Sequence, residues 1–130
     1  MPRLPRSCLL IALLAFLTAC ATSGGVAQTA RTEHYTVQLN LDGVGFGERQ
    51  ATVEVRDAVG KPVAAQQVVL APVMRQMGMA APEAPAHEIE PGRYQATGEF
   101  FSMSGEWDVD VRVSAGGSEE VASFKVQATQ

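Results

Sequence analysis

Cysteine is scarce in this chain and poorly placed to hold a fold together. Only Cys8 and Cys20 occur, both within the first twenty residues. A domain formed by the later residues has no disulfide, no thiolate metal ligand and no cysteine nucleophile, so its stability must come from packing alone. Positive charge is also short: ten Lys and Arg stand against 14 Asp and Glu, a formal net charge of −4. That balance excludes a nucleic-acid partner, which needs a basic face. A membrane-spanning run is lacking too. The longest apolar stretch, about residues 7–19, falls short of the roughly 20 residues that cross a bilayer. Amphipathic helical periodicity is absent, and Pro72, Pro82, Pro85 and Pro91 interrupt the one long segment that would otherwise allow it.

What the N-terminus does have is a three-part plan. Arg3 and Arg6 form a basic head, Leu9 to Leu17 an apolar centre, and Leu17-Thr18-Ala19-Cys20 a small-residue end. This is the arrangement of a secretory signal peptide. A cysteine directly after Leu-Thr-Ala resembles the lipobox of bacterial lipoproteins, which implies cleavage before Cys20 and acyl chains on it. Residues 1–19 are therefore expected to be a signal peptide and 20–33 a lipidated, flexible tether. The folded domain is expected over 34–130. Losing Arg3 and Arg6 with the leader makes the remaining domain still more acidic. Ala21 stands where an aspartate would, in many enterobacteria, favour the inner membrane. The expected address is the outer membrane, facing the periplasm.

From His34 onward, period-2 alternation dominates. Tyr35, Val37, Leu39 and Leu41 alternate with polar neighbours, as do Ala51, Val53 and Val55. A strand through Gln67–Leu70 follows, and later Tyr94, Ala96, Gly98 and Phe100 share a face. Trp107, Val109, Val111 and Val113 stand opposite Asp108, Asp110 and Arg112, and Phe124 and Val126 close the domain. Glycine-rich turns separate the runs, with Gly92 in Pro91-Gly92-Arg93-Tyr94 placed for its backbone freedom. Six or seven short antiparallel strands, each polar on one face, describe an all-β sandwich, with an open barrel as the alternative.

Every methionine after Met1 lies in or beside two loops: Met74, Met77 and Met79 in one, Met103 in the other. Thioethers are soft, neutral ligands that suit Cu(I), and they need no deprotonation to bind it. His87, and His34 if the first strand ends nearby, could supply an imidazole. The same methionines also suit two other roles, filling gaps at the end of a sandwich or forming an apolar patch with Phe101 for a protein partner. Catalytic constellations are absent. The histidines have no neighbouring nucleophile, no serine sits in a nucleophile-elbow context, and no glycine loop cradles phosphate. The chain reads as a non-enzyme.

Val53-x-Val55-x-Asp57, Gly60-Lys61-Pro62-Val63, Met74-x-x-Met77-Gly78, Pro91-Gly92-Arg93-Tyr94 and Phe101-x-Met103-x-Gly105-x-Trp107 occur in this order. The series resembles the YtkA-like domain family, related to FixH-type proteins, over about residues 34–115. The resemblance implies an immunoglobulin-like sandwich, often membrane-attached and extracytoplasmic, with a loose link to copper handling. By position, it implies Met74, Met77, Met79 and Met103 as the metal candidates. Relatives commonly show Met-Pro-x-Met-Gly-His; here Arg75 replaces the proline and Met79 the histidine. The expected function is a membrane-tethered periplasmic binding module, copper-binding or copper-delivering through its methionine loop. The alternative is a cell-envelope accessory or protein-interaction domain without metal.

Overall fold

The computed structural model describes residues 24–130. The leader and Cys20 lie outside these residues. Among the described residues there are nine strands: β1 (Val26–Arg31), β2 (Thr36–Leu41), β3 (Arg49–Arg56), β4 (Gln67–Met74), β5 (Met79–Ala80), β6 (Ala84–Glu90), β7 (Arg93–Gly98), β8 (Gly105–Ala115) and β9 (Ser118–Ala128). All pairings are antiparallel, in the order β1-β2-β3-β7-β6-β4-β8-β9, with β5 added to β4. The all-β expectation holds, with more strands than the six or seven expected.

One strand joins the two halves. Ala84, Pro85 and Ala86 of β6 pair with β4, whereas His87, Glu88 and Glu90 pair with β7, with a register irregularity between Glu88 and Glu90. A strand that changes partners in this way turns the corner between two packed layers. The layers bury Val37, Leu39, Val53 and Val55 on one side against Leu70, Trp107, Val109, Val111 and Phe124 on the other. Alternate β8 residues from Trp107 to Val113 are fully buried while Asp108, Asp110 and Arg112 stay outside, the two-residue period of a half-buried strand.

The expected tether needs correcting. Residues 26–31, placed within a flexible segment, form β1 and pair along their whole length with β2, from Val26 opposite Leu41 to Arg31 opposite Thr36. Val26 and Ala30 pack partly buried against the core but none of the six is fully buried, and with Gln28 between them the hydrophobic alternation is too weak to read. They order by covering the edge of β2.

β1 also brings the two ends of the sheet together. The Gln28 side-chain amide donates to the Lys125 carbonyl of β9 at 2.7 Å. The His34 backbone N–H and ring Nδ1 meet the two Glu120 oxygens at 2.8 and 2.9 Å. Burial pushes the Glu120 carboxyl up, but contacts from Thr32 and His34 outweigh that and hold it below its usual range. The seam between β1 and β9 is thus tied by side chains, and the sheet is nearly closed.

Candidate metal site at the methionine pole

The loops gather at two poles. At one lie the 57–66 connection, the Pro91–Gly92 turn, the Gly116–Gly117 turn and His34. The other holds the 42–48 loop, the 75–83 segment, the 99–104 connection and the C-terminus, where the Thr129 N–H donates to the Val44 carbonyl. All four candidate methionines belong to this second pole.

Met74 is the last residue of β4 and is 3 % exposed. Its methyl group packs over Gly105: a Cβ at that glycine would lie 3.0 Å from Met74 Cε, at a φ of +136°. The chain then makes a short 3-10 turn, Arg75–Met77, and Gly78 reverses it with φ +62°. This reversal brings Met79 directly opposite Met74 in the β4–β5 pair. Directly opposed residues of an antiparallel pair project from the same sheet face, so these two thioethers share one side. Met79 is 38 % exposed and Met77 60 %. Met103 is half-buried against the core, and its carbonyl accepts the Trp107 indole N–H at 3.0 Å.

A cavity of about 310 Å³ opens beside this turn, lined by Phe46, Ala80, Ala81, Pro82, Glu99 and Phe101, among others. Phe101 packs edge-on to both Phe100 and Trp107, at 6.3 and 6.0 Å between ring centroids. The pole therefore has a rigid aromatic floor under an exposed sulfur-bearing rim.

Arg75, next to Met74, places a positive charge close to the candidate ligands. Its guanidinium turns onto the outer face of β8, meeting Asp110 at 2.8 Å and Asp108 at 3.0 Å. The Asp110 contact and then the Asp108 contact raise its pKa and keep it fully ionised. Its charge is thereby paired with two carboxylates.

The histidines do not join the methionines. Ala86 stands opposite Val68, so His87 lies level with the first residue of β4 whereas Met74 is the last. At about 3.3 Å per residue the two ends are about 23 Å apart, too far for one ion. His87 was expected within loop reach, but residues 84–90 are an extended strand, and extension carries it away. His34 sits at the opposite pole on Glu120. Among the described residues, no group of three or more His, Cys, Asp or Glu could hold a metal.

A second anchoring residue is Tyr94 at the far pole. Its hydroxyl donates to the Val63 carbonyl at 2.8 Å and accepts from the Ala65 N–H at 2.7 Å. It pins the 57–66 connection to β7. The run Pro91-Gly92-Arg93-Tyr94 announces a turn and strand, but gives no sign of this clamp.

Neither curated proteins nor solved structures offer a match to the chain. One family model does match, that of the YtkA-like family, over residues 29–112. It starts within β1 and runs into β8, taking in both poles. With most of its folded body matched, the chain belongs to the YtkA-like family.

Proposed function

We propose that this protein is a membrane-tethered periplasmic binding module, non-catalytic, that takes up or delivers copper at its methionine pole. The observation that carries the reading is the opposition of Met74 and Met79 across the β4–β5 pair, with Met103 held at the same pole by Trp107. Thioethers suit Cu(I) in preference to harder cations. Met74, Met79 and Met103 would hold the ion and Met77 would present it to solvent. The pairing of Arg75 with Asp108 and Asp110 supports the reading by removing an unpaired charge that would repel a cation. The tether would be the lipid on Cys20, in the outer membrane.

The test is competitive Cu(I) titration of the protein purified from membranes in detergent, against a Met74→Leu/Met79→Leu variant. Leucine keeps the apolar volume and removes the sulfur. The variant should lose high-affinity binding. Affinity unchanged in the variant would overturn the ligand assignment. A wild-type protein that takes up no Cu(I) would favour the metal-free interaction domain, which the exposure of Met77 and Met79 also suits.

A further inference from the structure

β1 limits how a domain anchored through Cys20 could meet its membrane. Val26, its first residue, stands opposite Leu41, the last residue of β2 before the 42–48 loop. The chain thus enters the domain at the methionine pole. Only six residue steps separate Val26 from Cys20. Fully extended, they reach about 20 Å. The 11-residue strand β8, which runs from one pole to the other, is about 35 Å long. A lipid on Cys20 therefore cannot let the domain stand on its far pole with the methionine pole turned away, because the tether is shorter than the body it would have to pass.

We infer that, in the lipidated protein, the methionine pole lies against the bilayer that holds Cys20, with Met77 and Met79 as its contact residues. The inference rests on the lipid-anchor part of the proposed function and not on its copper part. The pole's surface fits such an occupant. Met77 and Met79 are two of the few large apolar side chains exposed among the described residues, and Phe46 and Val44 lie partly buried at the same pole. Asp42, Glu48 and Glu99 are exposed at the same pole, so the contact is apolar and not an attraction to anionic lipid. Toward the far pole, Val59, Val121 and Ile89 are exposed as well, so it is the short link from Val26 to Cys20, not apolar exposure alone, that singles out the methionine pole. A membrane-facing pole would also confine any ion held there to exchange with membrane-embedded partners.

The experiment places a single thiol on each pole, Gln76→Cys or Val59→Cys, both exposed positions outside the candidate ligands. Each variant is purified from membranes, labelled with an environment-sensitive fluorophore and reconstituted in phosphatidylcholine vesicles carrying spin-labelled quencher lipids. Quenching should be several-fold stronger at residue 76 than at residue 59. Equal quenching at the two positions, or stronger quenching at 59, would overturn the inference. Mass spectrometry of the same samples separates the two readings. Acylated Cys20 with equal quenching rejects the orientation alone, whereas an unmodified Cys20 rejects the anchor and the orientation with it.

Discussion

Trp107 donates its indole N–H to the backbone carbonyl of Met103 at 3.0 Å, four residues back along the chain. The fully buried ring thus holds the connection that carries Met103 against the aromatic floor of Phe100 and Phe101. Trp107→Phe keeps a ring but shrinks it and leaves that carbonyl without its partner. The expected cost is about 2–4 kcal/mol, read as a lower urea midpoint with unchanged slope.

Tyr94→Phe removes one hydroxyl and, with it, two bonds to the 57–66 connection. A loss of about 1–2 kcal/mol is expected. The pH dependence follows from burial, which pushes the phenol above its ordinary value of 10.0. The folded state then holds its proton longer than the unfolded chain. Its contribution is complete below about pH 10 and is lost as pH rises through the folded value. Above pH 10, wild type should lose stability more steeply than Tyr94→Phe.

Gly92 and Gly60 both have left-handed backbone, at φ +74° and +82°, but only Gly92 is crowded. A Cβ there would lie 2.6 Å from Pro62 Cβ and 3.0 Å from the Val55 carbonyl oxygen, whereas one at Gly60 meets nothing within 4 Å. Gly60→Ala should cost about 1–2 kcal/mol, the conformational penalty alone. Gly92→Ala should cost clearly more, because backbone must also move. Thermal unfolding of the two variants side by side checks the order.

His87→Ala and His34→Ala should leave Cu(I) affinity where it stands in wild type, because both imidazoles lie away from the methionine pole. Affinity should also hold from neutral to mildly acid pH, since thioethers carry no proton to compete. A drop in either histidine variant, measured by the same competitive titration, would place an imidazole in the site.

Deleting Val26–Arg31 should destabilise the domain and expose the edge of β2 to association with other copies. Light scattering and the unfolding midpoint read the two effects. Deletion of the residues before Gly24 should produce neither.

The strands that face the core were legible because burial on one side forces alternation. Val37, Leu39 and Leu41, or Trp107 to Val113, can be read directly. β1 was not legible, since its inward positions, Val26, Gln28 and Ala30, are small or polar and only partly buried. The strand expected over Gln67–Leu70 runs on to Met74 through Pro72, whose carbonyl accepts the Ala81 N–H. The missing proline donor falls where β4 passes from β6 to β5 as its neighbour, which is why it is tolerated. The clustering of the methionines was visible in the two loops. Their division into a buried Met74 and an exposed Met77 was not, because the reversal at Gly78 sets it. The displacement of His87 depends on β6 pairing with two different strands, a long-range choice that local spacing does not encode.

The side-chain ties between β1 and β9 have a mechanical consequence. In a lipidated protein whose methionine pole faces the bilayer, any pull enters at the first residue of an edge strand and runs along β1, so that the β1–β2 rungs resist it together in shear. The Gln28 and His34–Glu120 ties to β9 share that load. Strain is thereby spent on the outermost ribbon, while the strands beneath the sulfur-bearing rim are spared.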